Sequence, residues 1–190
     1  MITPPLVDAA RELLDYLQAL DRPACLIGGM VVARWADPRA TQDVDATVLA
    51  DFGEEATLLA ALLRKFPSRD PEPAKRAEIG RLALLTASNG VHIDVSFAAF
   101  PFEQEVLSRA SAWRIAPNAE LRTCSPEDLV IYKLVAGRPQ DLADISNIVR
   151  RQGGRLDMSR IREWGRVFAE IEEDPDLLRP FEQALRTIDL

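Results

Sequence analysis

The chain has 190 residues, a formal net charge of −7, 47% apolar and 28% charged residues. That balance suits a globular chain, and the negative charge argues against a general nucleic-acid coat, whose affinity comes from neutralising many phosphates. No run approaches the roughly 18 apolar residues of a membrane span.

The opening "MITPPLVDAARELLDYL" lacks the basic-then-apolar pattern of a secretory signal. Cys25 and Cys124 lie far apart without a CxxC partner and read as buried free thiols. A cytoplasmic location without membrane attachment is the expectation.

In chain order, residues 4–20 read as a helix: Thr3 is placed to cap it, Pro4 and Pro5 suit its first turn, and Leu6, Ala9, Ala10, Leu13, Leu14 and Leu17 make a 3.6-residue stripe. "ACLIG" is a short buried strand stopping at glycine, "GMVVARWA" a short helix, and "DVDATVLA" a strand. Residues 54–65 form an amphipathic helix whose acidic start and basic end complement its dipole. "FPSRDPEPAKRAE" reads as a surface loop. Two β-rich runs, 81–88 and 91–98, flank Asn89-Gly90 and predict a hairpin with a type I′ turn.

A short helix near 102–110 follows, then edge strands in "WRIAP" and "LRTCS". Ser125 and Pro126 open a helix over "SPEDLVIYKLVAG" that ends at Gly137; "PQDLADISNIVRRQG" begins another, and the rest reads as helical. This is an α+β pattern: a small mixed sheet flanked by helices over 1–110, and a mainly helical part over 111–190 that would close a cleft. The halves meet near 111–125. Arg150, Arg151, Arg155, Arg160, Arg162 and Arg166 form either a solvated helix face or a basic binding surface. Trp35, Trp113 and Trp164 read as core or interface residues.

The chemistry is concentrated in acidic residues that strands do not ordinarily tolerate. Asp43 and Asp45, at i and i+2, share one face of their strand, while Val44 and Ala46 face the other way. Two carboxylates so close repel each other, unless a divalent cation turns the repulsion into ligation. Asp94, in "HIDVSF", supplies a third carboxylate from the hairpin's return strand, which suits a two-metal site. Gly28 and Gly29 end a strand and begin a helix, where backbone can approach a phosphate. The bland alternative is a pair of exposed strand-edge aspartates.

The order G-G, thirteen residues, D-V-D and a later strand aspartate resembles the nucleotidyltransferase superfamily that includes polymerase β and the tRNA CCA-adding enzymes. The match is closer to the bacterial AbiEii-type toxin nucleotidyltransferases and their small relatives, whose helical motif "SPEDLVIYKLVAGRPQDLADI" resembles. The resemblance spans about residues 22–150.

It implies a nucleotidyltransferase fold and transfer of an NMP from an NTP to a hydroxyl acceptor, with RNA such as tRNA as acceptor and an antitoxin protein as partner. It implies that Gly28 and Gly29 hold the triphosphate, with Arg39 and Thr41 nearby. Asp43, Asp45 and Asp94 would bind two Mg²⁺ (or Mn²⁺) ions, Asp94 also helping to activate the acceptor. Lys133 would reach the triphosphate with Asp141 orienting it, and Arg138 and Asp144 are further choices. Several toxins of this group carry lysine two residues before the third aspartate, where this chain has His92.

The residues leave other readings open. Lys133 and Asp141, on successive helices either side of Gly137, would also make a simple salt bridge. The same fold serves as a nucleotide-binding module without catalysis, although such a module has no need of three carboxylates. It also serves as a small-molecule nucleotidyltransferase of the aminoglycoside type, a cationic substrate that "EIEEDPD" would suit.

Overall fold

The computed structural model describes residues 2–116 and 119–188. The chain divides into two compact units: Met1–Met30 with Ala40–Cys124, and Val31–Arg39 with Ser125–Leu190. The C-terminal segment of the second unit thus begins at Ser125 rather than at 111. Residues 111–116 and 119–123 are strands of the first unit's sheet, and a short piece of chain ahead of Ala40 belongs with the C-terminal helices.

Among the described residues of the first unit, six strands form one mixed sheet in the order β3-β4-β2-β1-β6-β5. They are β1 (Ala24–Ile27), β2 (Asp43–Leu49), β3 (Leu82–Thr86), β4 (His92–Ala98), β5 (Ser111–Ala116) and β6 (Ala119–Thr123). β1 runs antiparallel to β2, whereas β2–β4 and β1–β6 are parallel. Only β5 of the two predicted edge strands lies at an edge. β6 pairs on both sides, and its alternating Ala119, Leu121 and Thr123 are buried.

Helix α1 (Pro4–Ala19) buries Leu6, Ala9, Ala10, Leu13 and Leu17, the expected stripe less Leu14, and lies against β1, β2 and β6. Thr3 occupies its N-cap position without a side-chain capping bond. Helix α2 (Gly28–Trp35) follows β1 directly, and α3 (Glu55–Leu63) and α5 (Pro101–Arg109) match their predicted segments.

Two local expectations differ. The proline-rich stretch expected as loop contains helix α4 (Pro73–Gly80). Pro73 supplies a first-turn φ, the helix formers after it continue the turn, and Ala77 is buried. The hairpin turn is not a two-residue type I′ loop. Ala87 N–H donates to Val91 O at 2.8 Å and Gly90 N–H to Ala87 O at 3.0 Å, giving a three-residue connection. Gly90, at φ +84°, alone takes the left-handed conformation there, as three-residue hairpins require.

The second unit contains α6 (Pro126–Ala136), α7 (Pro139–Gln152), α8 (Met158–Ile171) and α9 (Arg179–Arg186), with a 3₁₀ turn at Gly153–Arg155. Ser125 Oγ accepts the Asp128 N–H at 3.1 Å, a cap worth about 1 kcal/mol. Gly137, at φ +61°, ends α6 as expected. Cys25 and Cys124 are buried free thiols. The three tryptophans are half-buried rather than core residues; the largest fully buried side chains include Phe66, Phe97 and Phe181. No helix of the described residues is long and apolar enough to cross a membrane.

Candidate active site

The parallel pairing of β2 with β4 brings the first unit's carboxylates together. Asp43 lies opposite His92 and Asp45 opposite Asp94, and laterally paired residues project from the same face. Strand spacing sets Asp45 and Asp94 about 4.8 Å apart at the backbone, and Asp43 about 6.6 Å further along β2. The opposite face carries Val44, Ala46, Ile93 and Val95, all buried. One-residue alternation therefore separates a dry core face from a face bearing three carboxylates.

Gly28 meets that face at the end of β1, where Ile27 pairs with Asp45. Its φ is +67°, and a Cβ built there would fall 2.5 Å from Asp45 Cγ and 2.6 Å from Asp45 Cβ. No side chain other than hydrogen fits. The space a Cβ would need is filled by the Asp45 side chain, and the Gly29 N–H, at the start of α2, points to Asp45 Oδ2 at 3.3 Å. Thr41 lies two residues ahead of β2, half-buried. His92 is exposed on the carboxylate face, its Nδ1 3.6 Å from Asp43 Oδ1. Asp94 forms an ion pair with Arg69, which lies in the stretch expected as a surface loop. Among the described residues, no three His, Cys, Asp or Glu side chains gather closely enough to hold a metal ion.

The remaining predicted residues form a cluster within the second unit. Lys133 is buried and its Nζ lies 2.7 Å from Asp141 Oδ1 and 2.9 Å from Asp144 Oδ2. Arg39 reaches Asp144 through two bonds, Nε–Oδ1 at 2.7 Å and Nη2–Oδ2 at 2.8 Å. Arg138 Nε bonds Asp141 Oδ2 at 2.6 Å.

The salt bridge across Gly137 is therefore real, but buried and shared by five residues rather than exposed. Burial pushes the Asp141 and Asp144 carboxyls up. Arg138 and Lys133 on Asp141, and Arg39 and Lys133 on Asp144, overcome it and hold both below the ordinary carboxylate value. Asp144, absent from the primary candidates, is the fully buried centre of this network. Its i+3 spacing from Asp141 on an amphipathic helix was the available signal.

The arginine run is largely committed to internal partners. Arg160 pairs with buried Asp128, Arg162 with Glu182, Arg150 with Asp37, and Arg155 with backbone carbonyls. Arg150, Arg151, Arg155 and Arg166 remain exposed.

A mixed sheet whose strand–glycine turn–helix unit abuts a carboxylate doublet, with a third aspartate on the parallel neighbour, defines the nucleotidyltransferase fold. Solved structures share it. An antigenic nucleotidyltransferase-like protein from Paracoccidioides brasiliensis superposes with a TM-score of 0.54 at 16% identity, over 93% of this chain and 92% of that one. The antibiotic-resistance factor ANT(2'')-Ia gives 0.62 at 12% identity, over 90% and 97%.

The family model "Nucleotidyl transferase AbiEii toxin, Type IV TA system" matches residues 12–187, and the chain belongs to that family of nucleotidyl transferases. No curated protein matches the chain.

Proposed function

We propose that this protein transfers an NMP from an NTP to a hydroxyl acceptor at the carboxylate face of β2 and β4. The observation that carries the reading is the register Asp45–Asp94 with Asp43 two residues along, beside a glycine whose missing side chain Asp45 occupies.

The donor set suits Mg²⁺ or Mn²⁺, since hard cations take carboxylate oxygens and leave positions open for phosphates. Asp43, Asp45 and Asp94 would hold two such ions, which supply an acidified acceptor hydroxyl and charge stabilisation at the α-phosphate and the departing pyrophosphate. Asp94, on the neighbouring strand, is the carboxylate we assign to take the acceptor's proton. Gly28 and Gly29 open α2 beside Asp45, and the helix dipole there favours a phosphate's negative charge. Thr41 and His92 border the same face as polar contacts for the nucleotide.

Membership of the AbiEii family supports a toxin-like role with an antitoxin as partner, and RNA is the acceptor we propose for it. The test is incubation with each α-³²P NTP, Mg²⁺ and total cellular RNA. Label should enter RNA with the wild-type protein and not with Asp43→Asn/Asp45→Asn at unchanged melting temperature. Label in a small-molecule fraction instead would move the acceptor to that class. Full transfer by the double variant would refute the carboxylate site.

A further inference from the structure

Residues 67–70, between α3 and α4, form an outer rail along β3. Arg69 N–H donates to Leu84 O at 3.0 Å, Thr86 N–H donates to Pro67 O at 3.0 Å, and Ser68 bridges to Leu85. The rail is tied again beyond Arg69. Asp70 N–H donates to Ser68 Oγ at 3.0 Å, Glu72 N–H donates to Asp70 Oδ1 at 2.8 Å, and Arg76 pairs with the Asp70 carboxylate, whose side chain is 4% exposed. These bonds fix the backbone from which the Arg69 side chain departs.

Leu84, the residue to which Arg69 is bonded, is the register partner of Asp94. The Arg69 side chain therefore reaches past one strand to the next and places its guanidinium on Asp94. Both side chains stay partly open to solvent, at 29% and 30% exposure. The strand register sets three carboxylates on one face, yet their side chains are not gathered to metal-holding distance. Asp94 is held by an arginine anchored outside the face.

We propose that Arg69 is a resident countercation of the carboxylate face: it holds Asp94 while no divalent ion is bound, and Asp94 must exchange the guanidinium for the metal when one loads. This inference rests on the metal-bearing reading of the preceding section. Two cations compete for one carboxylate, so the Arg69–Asp94 pair weakens metal binding by the worth of that pair. In the metal-free protein it offsets the charge of one of the face's carboxylates, relieving the repulsion between neighbouring carboxylates. Because the rail is backbone-bonded, the exchange needs only side-chain rotation.

The test is Mn²⁺ binding to the full chain without nucleotide, read by the free-Mn²⁺ electron paramagnetic resonance signal. A partly exposed ion pair predicts that Arg69→Ala binds Mn²⁺ about two- to fivefold more tightly than wild type, with Arg69→Lys, which keeps the charge, in between. The gain should vanish when Asp94 is neutralised: Arg69→Ala/Asp94→Asn should match Asp94→Asn alone. Thermal melting verifies that each variant is folded. Unchanged affinity in Arg69→Ala, with wild type binding Mn²⁺, would overturn this inference and leave the metal reading intact. An equal gain in the Asp94→Asn background would overturn it as well, since Arg69 would then act only through bulk charge. No Mn²⁺ binding by wild type or any variant would defeat the metal reading itself, and this inference with it.

Discussion

Replacing Gly28 with alanine adds one methyl group where the backbone has φ +67° and the Asp45 side chain already fills the space. The left-handed conformation costs an L-residue roughly 1–2 kcal/mol. The new Cβ would sit 2.6 Å from Asp45 Cβ, against an ordinary contact of 3.4–4 Å. Relief requires the β1–α2 turn and β2 to part by about 1 Å, an overpacking that costs about 1–3 kcal/mol. Together these give about 3 kcal/mol, or a melting temperature lower by roughly 6–12 °C for a chain of this size.

The two terms can be separated. Asp45→Gly removes the colliding atoms but not the backbone strain, so Gly28→Ala should cost only about 1–2 kcal/mol in that background. Urea denaturation of the four proteins measures the coupling. Additivity within about 0.5 kcal/mol would show that Gly28 and Asp45 do not share this space, and would remove the geometric basis of the site. Gly28→Ala should also lose nucleotidyl transfer, because Asp45 can no longer stand where the turn now holds it.

The cluster around Asp144 yields two linked expectations. Asp144→Asn leaves Arg39 without its two-bonded partner while Lys133 keeps Asp141, so about 3 kcal/mol of stability should be lost, near the lower end for a broken buried pair. The folded-state carboxyls of Asp141 and Asp144 lie below the ordinary value of 3.8, so the stability they contribute is full above that pH and is lost as pH falls through their depressed values. The melting-temperature gap between wild type and Asp144→Asn should thus be widest at neutral pH and shrink below about pH 4; a gap independent of pH would sink the assignment. Arg160→Ala strips buried Asp128 of its 2.8 Å partner. By thermal melting it should cost about 3–5 kcal/mol, and a shift under about 2 °C would show the pair to be dispensable.

What could be seen in the sequence was local. The Ser125 cap, the Gly137 stop, the stripe of α1 and the valine alternation of β2 each depend on neighbours within a turn or two, and all stand in the structure. Asp43 and Asp45 could be set on one face because alternation alone decides it, whereas Asp94 joins them through the β2–β4 register. The turn at Ser88–Gly90 was misjudged by one residue because Asn-Gly fits two loop lengths. Helix α4 was hidden because prolines and charges suit a loop and a short exposed helix alike. Arg39–Asp144 joins residues 105 positions apart and Arg69–Asp94 joins residues 25 apart. No periodicity carries such pairings; they follow from the register of strands and helices that only the fold supplies.

The two parallel pairings also govern when the protein can act. Asp45 lacks its cross-strand aspartate, Asp94, until α3, α4 and β3 have been threaded and β4 has returned beside β2, and β1 gains its second neighbour only when β6 is made. Such distant contacts are slow to form. Chemistry should therefore be a late acquisition of the emerging polypeptide: refolding followed by Mn²⁺ uptake should lag behind the recovery of helical circular dichroism. A half-made copy would carry the carboxylate doublet without the strand that completes its face.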